Sequence, residues 1–273
     1  MDEFYIGWQA DPTPSYKRKK LQGFWLLLAI AILAAGIIAF AQGPFSTASF
    51  EYGSPRELSG VLERWPVPSL VIHQQDGAVE SQQRILLVDA GKRGAAPLLD
   101  QWEKTAGKSL DKHTVRLAGT LIYFDGKAVL ELTQGEKALL ETGEEQELEV
   151  QYSDRQRQTL LGEILDSKCF FGVMKPAEGK PHKSCAVRCL SGGIPAVFKA
   201  RGSGDTEEYF LILDADGQPA NSLLLDYTGE PIALCGESVL YNDWQLFYLD
   251  KEQPIRRLGP PGSKLPTLCA TSR

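Results

Sequence analysis

Cys169, Met174, His182, Cys185 and Cys189 fall within 21 residues of this 273-residue chain, which has five cysteines, three histidines and two methionines in all. Thiolate, imidazole and thioether are the donors that soft metals select. His182 and Cys185 stand three apart and Cys185 and Cys189 four apart, so one helical turn would set all three on the same side. A Cys-x3-Cys pair with histidine and methionine near it suits copper or tetrahedral zinc. Cys169, His182, Cys185 and Cys189 are therefore the candidate ligands, with Met174 read as core filler. A structural disulfide competes with this chemistry and is the expected state of Cys169. Joined to Cys185 or Cys189, it would close a loop of about 16 or 20 residues and stabilise the fold by roughly 3 kcal/mol. Redox-active thiols and inert buried thiols are the remaining alternatives. Cys235 and Cys269 complete the set, and an odd total leaves one thiol unpaired or engaged otherwise. His73 and His113 stand alone in sequence and read as ordinary histidines. There is no nucleophile elbow, phosphate loop, Cys-x2-Cys pair or haem-type Cys-x2-Cys-His, so no catalytic residue is assigned.

The elements that must position these residues follow an anchor. Leu21–Ala41 is uncharged throughout, and about 20 apolar residues at 1.5 Å each span a hydrocarbon core. Lys17-Arg18-Lys19-Lys20 precedes it and the first basic residue after it is Arg56. The positive-inside bias then keeps residues 1–20 cytoplasmic and places 42–273 on the periplasmic or extracellular side of a bacterial inner membrane. A cleavable signal ending at Ala39-Phe40-Ala41 is the alternative, disfavoured by the length of the apolar run and the polar leader. Phe4, Tyr5, Ile6 and Trp8 form an apolar-aromatic cluster suited to the headgroup level or to a partner subunit. The formal net charge is -6 and the pI about 5.3. Basic residues do not cluster beyond 17–20, which argues against a nucleic-acid partner.

Beyond the anchor, 42–67 reads as a linker, with Leu58, Val61, Leu62 and Trp65 spaced like a short helix. Residues 68–165 form a first β-rich module, 166–195 a Cys/His-containing loop, 196–250 a second β-rich module and 251–273 a tail. Strands are expected over 68–73, 83–89, 115–121, 128–132, 147–151, 160–165, 208–213, 223–225, 232–234 and 245–249. A small helix over 97–107 is capped by Gly107, and Asp125-Gly126 marks a hairpin. Gly192-Gly193-Ile194-Pro195 reads as a tight turn, and Asp214-Ala-Asp216-Gly217 as a polar turn rather than a calcium loop. Val115-Arg-Leu117-Ala-Gly119 and Ile232-Ala-Leu234-Cys-Gly236 are similar to each other, each ending in a glycine able to bend a strand into a barrel. The expected fold is one transmembrane helix followed by a mainly β exterior region. Its OB-like barrel modules fall near 110–165 and 195–250, with a few short helices.

The string DSKCFFGVMKP…GKPHKSCAVRCLSGGIP, residues 166–195, resembles the signature of poorly characterised bacterial proteins that begin with a DEFYIGW-like tail and a single span. Cys169, His182, Cys185 and Cys189 are the matching polar residues, and Ala196 stands where that pattern has a second proline. The resemblance covers the N-terminal segment and about 160–250. It implies an accessory place beside respiratory or molybdenum-enzyme components. The function expected is thus a noncatalytic accessory subunit or assembly factor of an electron-transfer membrane complex, its partners the bilayer and an integral-membrane complex, with no cofactor. The alternative is a periplasmic protein that binds or delivers copper, or zinc, through the Cys169–Cys189 region.

Overall fold

The computed structural model describes residues 12–41, 47–76, 79–201, 207–252 and 254–259. Two compact units divide the chain, 1–46 and 47–273. In the first, helix α1 runs Pro14–Ala41. It is the one described helix long and apolar enough to cross a membrane, and none of its residues is buried in the protein. The aromatic cluster at 4–8 lies outside the described residues.

The second unit is nearly all β. β1 (Ser49–Phe50), β2 (Arg56–Glu63), β3 (Ser69–Asp76) and β4 (Val79–Asp89) precede α2 (Ala96–Ala106). β5 (His113–Phe124), β6 (Lys127–Leu132) and β7 (Leu139–Glu145) follow. Five of these strands close in the order β5-β2-β3-β4-β6, with β6 returning to β5. All pairs are antiparallel except β4 with β6. That closure, with a helix between the third and fourth strands, is an OB-like barrel. α2 ends at Gly107, whose left-handed backbone at φ 68° makes the expected cap. The β5–β6 hairpin turns on Asp125 and Gly126, both at positive φ.

The pattern then repeats. β8 (Gln156–Asp166) leads into α3 (Ser167–Phe171) and α4 (Gly179–Ser191), followed by β9 (Ala196–Arg201) and β10 (Glu207–Leu213). α5 (Asn221–Leu224), β11 (Ile232–Tyr241), β12 (Trp244–Leu249) and β13 (Ile255–Arg257) complete it. The closure is β11-β8-β9-β10-β12, with β12 returning to β11 and β10 parallel to β12. The similarity between 115–119 and 232–236 is structural as well. Gly60 pairs with Val115 as Gly162 pairs with Ile232, and Arg56 pairs with Gly119 as Gln158 pairs with Gly236. At each of these four glycines an added Cβ would strike a carbonyl oxygen of the next strand, so the close approach that bends the barrel excludes a side chain.

The runs Arg84-Ile-Leu-Leu-Val88 and Tyr209-Phe-Leu-Ile-Leu213 do not alternate because both faces of β4 and β10 are covered. Ile85 and Leu87 fill the first barrel, and Phe210 and Ile212 fill the second. Leu86, Val88, Leu211 and Leu213 instead join a third core between the barrels, built around Phe170, Phe171, Tyr241 and Trp244. A polar network crosses the same interface. The buried Arg84 guanidinium pairs with Glu63, donates to Ser69 Oγ, and lies 4.6 Å from the centre of the Tyr241 ring. The Tyr241 hydroxyl donates to Glu63, and Trp65 Nε1 donates to the Gly217 carbonyl.

Several expectations are corrected. Leu58, Val61 and Leu62 lie in β2 rather than a helix, because pairing with β3 and β5 outweighs their helix-like spacing. Residues 147–151 join no strand, and the segment around Leu223–Leu225 is helical at α5, capping the second barrel between its third and fourth strands. The barrels occupy about 49–145 and 156–257, not 110–165 and 195–250. β8, placed by the sequence in the first module, is the first strand of the second barrel. The segment 166–195 is two helices inserted between that barrel's first and second strands, not a loop. Asp214 does form a polar turn, its Oδ1 accepting from the N–H groups of Asp216 and Gln218.

Candidate functional site

The insertion begins where β8 ends. Asp166 has extended backbone and caps α3, its Oδ1 accepting from the Cys169 N–H at 2.8 Å. This cap fixes Cys169 in the first turn. Pro181 sits in the first turn of α4, where no N–H is required of it. His182, Ala186, Cys189 and Leu190 make the buried stripe of that helix, at the spacing of one helical face. Cys185 lies on the flank of the stripe and is half-buried.

At its C-terminus α4 meets the loop 90–94 of the first barrel. The Gly192 and Gly193 N–H groups close the helix on Arg188, Cys189 and Leu190 carbonyls, and the Gly94 N–H donates to the Gly192 carbonyl at 2.8 Å. A Cβ on Gly94 would lie 2.5 Å from the Gly193 carbonyl carbon, and one on Gly192 would lie 3.0 Å from the Lys92 carbonyl carbon. The expected turn at 192–195 is there, and its two glycines also let the barrels touch through backbone. Lys168, on α3, holds the same loop from the other side by donating to the Asp89 and Gly91 carbonyls and to Glu131 at 2.6 Å.

This contact carries Lys92 over the cysteines. Its Nζ lies 2.7 Å from Cys185 Sγ and 3.8 Å from Cys189 Sγ. The sulfurs of Cys169, Cys185 and Cys189 all lie within 4.8 Å of one another. All three are free cysteines, so the disulfide expected between Cys169 and Cys185 or Cys189 is not formed. The sulfurs converge as a triangle beside an ammonium group instead of pairing. Cys235 is buried on β11, and Cys269 lies outside the described residues.

His182 is buried, and its Nε2 lies 3.0 Å from Asp166 Oδ2. Asp166 is itself wholly buried, with one oxygen on the histidine and the other on the Cys169 N–H. His182 falls in one group with Asp166 and Cys169, whereas Cys185 and Cys189 fall in the other with Cys169. The four ligands read from the sequence thus divide into a three-sulfur set and a His–Asp pair that meet at Cys169.

Charge and hydrogen bonding distinguish the thiols. A hydrogen bond with Cys189, then burial, pushes the Cys169 thiol up, so it keeps its proton. The hydrogen bond from Cys169 brings the Cys189 thiol down against the opposing effect of burial, with Lys92 adding attraction. The bond to Cys185 raises the Lys92 ammonium and keeps it charged. Such a set can hold a thiophilic cation, or exchange protons among its sulfurs.

Asp166 and Lys92 are the two participants that motif reading passed over. Asp166 carries a signal, an Asp three residues before Cys169 at a helix start. Lys92 carries none, since only the folded chain brings 92 beside 185. Met174, expected as core filler, is instead half-exposed on the turn between α3 and α4. No protein-family model, no curated protein and no solved structure matches this chain.

Proposed function

We propose that this is a membrane-anchored protein whose exterior pair of OB-like barrels binds a thiophilic metal ion at Cys169, Cys185 and Cys189. The observation that supports it is the convergence of three free sulfurs within 4.8 Å. A metal–sulfur bond of about 2.3 Å sets three sulfurs roughly 4 Å apart around one ion. Side-chain adjustments of less than about 1 Å would therefore close the triangle onto a cation. The three thiols come from two helices docked by a cap, a double-glycine turn and the Lys168 side chain, so their positions are fixed by scaffold. Binding, storage or delivery of the ion follows from this chemistry, and no catalytic group is needed for it.

In this reading α1 is the anchor. The four basic residues before its apolar stretch support an orientation with the barrels on the periplasmic or extracellular face, where a metal carrier meets ions and acceptor proteins. The accessory-subunit role expected beside a respiratory or molybdenum enzyme is compatible with metal supply to such a complex. It draws on the 4–8 aromatic cluster and the resemblance of 166–195, and no contact among the described residues adds to it.

The test is purification of the full chain in mild detergent under reducing conditions, followed by loading with Cu(I) or Zn(II) and removal of free ion. One equivalent retained by the protein, and lost when any one of the three cysteines becomes serine, supports the reading. No retention of either ion would refute it.

A further inference from the structure

We infer that the ion is monovalent copper, held in a three-coordinate, all-sulfur site by Cys169, Cys185 and Cys189, with His182 outside the ligand set and Lys92 as its counter-cation. This deepens the proposed function and rests on it. Three geometrical facts carry it. His182 Nε2 is already bound to Asp166 in a buried pair, and Asp166 Oδ1 is committed to the helix cap. Asp166 has no solvent exposure, so drawing Nε2 away from it would strand a buried carboxylate. Cys185 and Cys189 group with Cys169 and not with His182, so the inferred ligand set is the three sulfurs and the ring stays outside it.

The second fact is the group that lies against Cys185 and Cys189. A structural zinc site is closed by four ligands in a tetrahedron. The group beside the triangle is the Lys92 ammonium, 2.7 Å from Cys185 Sγ, which is a donor of protons and has no lone pair to offer. Monovalent copper is selected by soft thiolate ligands and is satisfied by three of them. The third fact is charge. Three thiolates around a monovalent ion leave two negative charges, and one is neutralised by Lys92 at no cost in coordination. Lys92 also lies on the exposed side of the site, with Cys185 half-buried next to it, so an ion can arrive there.

The binding step involves no change of oxidation state. Copper arrives as Cu(I) from a reduced donor, each thiol that still bears a proton releases it to solvent, and three copper–sulfur bonds form. Lys92 keeps its proton throughout and shifts from contact with a thiol or thiolate to contact with the filled site.

The test uses the full chain in detergent, reduced and then loaded with Cu(I) as an acetonitrile complex, or separately with Zn(II). X-ray absorption should show copper with three sulfur neighbours and no nitrogen. Zinc should be retained at least tenfold less well in a competition between the two ions. His182→Gln should leave the copper-to-protein ratio and the sulfur-only spectrum unchanged, with thermal unfolding confirming that the variant is folded. Lys92→Met, which keeps the side chain's length without its charge, should weaken retention against a chromogenic Cu(I) chelator about tenfold, the loss of one charge-assisted contact. A nitrogen neighbour that disappears in His182→Gln would overturn the ligand set. Preferential retention of zinc by the same three cysteines would overturn the copper assignment and leave the thiophilic-metal reading standing. Retention of neither ion would sink both.

Discussion

Gly192→Ala tests whether the site depends on the backbone contact between the barrels. The new Cβ would lie 3.0 Å from the Lys92 carbonyl carbon and closer still to its oxygen. Carbon atoms in comfortable contact are about 3.5–4.0 Å apart. Neither partner is a flexible side chain, so the loop or the helix end must move. Overpacking of this kind costs about 1–3 kcal/mol. The displaced turn also loses the bond from the Gly94 N–H to the Gly192 carbonyl, a further 0.5–1.5 kcal/mol or about that. The sum is about 1.5–4.5 kcal/mol. For a unit of this size each kcal/mol lowers the melting temperature by about 2–4 °C, so a fall of about 3–18 °C is expected. Gly91→Ala is the control, in the same loop. Gly91 has φ +70° and nothing within 4 Å of an added Cβ, so only the left-handed backbone is penalised, by about 1–2 kcal/mol. Differential scanning fluorimetry of both variants, with Cu(I) retention measured on each, decides the matter. Gly192→Ala should lose more stability than Gly91→Ala and bind the ion more weakly, because Lys92 rides on the displaced segment. A melting temperature for Gly192→Ala no lower than for the control would refute the reasoning.

Further outcomes follow from other contacts. Tyr241→Phe removes a hydroxyl that donates to buried Glu63, the ion-pair partner of Arg84 between the barrels, and should cost about 1.5–3 kcal/mol in urea unfolding; no change in the midpoint would show the bond to be idle. Phe171→Ala empties a fully buried ring site in the shared core and should destabilise by about 3–5 kcal/mol, read in the same assay. Lys183 and then Arg257 depress the Glu230 carboxyl from 4.5 to about 2. Its folded pKa lies below its unfolded one, so the stabilisation is present above about pH 4.5 and is lost as pH falls toward 2. Melting curves over that range should flatten in Glu230→Gln, and an unchanged slope would remove the bridge from the account. Protease added to intact spheroplasts should digest the barrels and spare the N-terminal end; a mature chain beginning at Gln42 would exclude the uncleaved anchor.

The sequence alone determined what local physics governs. An uncharged run of 21 residues makes a long apolar helix whatever follows it, because a helix satisfies its backbone hydrogen bonds within itself. Asp125-Gly126 fixed a hairpin and Gly107 a helix end, because positive φ is open to few residues. Apolar runs marked the strands of both barrels except β2 and β9, and paired glycines hinted at their common bend. His182, Cys185 and Cys189 share a helix, an arrangement their spacing suits although the segment reads as a loop. The failures all lie where distant partners decide. The spacing of Leu58, Val61 and Leu62 fits a helix, yet neighbouring strands claim them. β8 sits beside β11 across some 70 residues of chain, so the division into two barrels could not be drawn from where the composition shifts. The state of Cys169 depended on helix docking, which points its sulfur into a triangle rather than toward one partner. Whether His182 ligates was decided by Asp166, buried at the foot of β8. Lys92 belongs to the site only because Gly94, Gly192 and Gly193 let two barrels meet backbone to backbone, and no pattern along the chain encodes an approach between surfaces 100 residues apart or so.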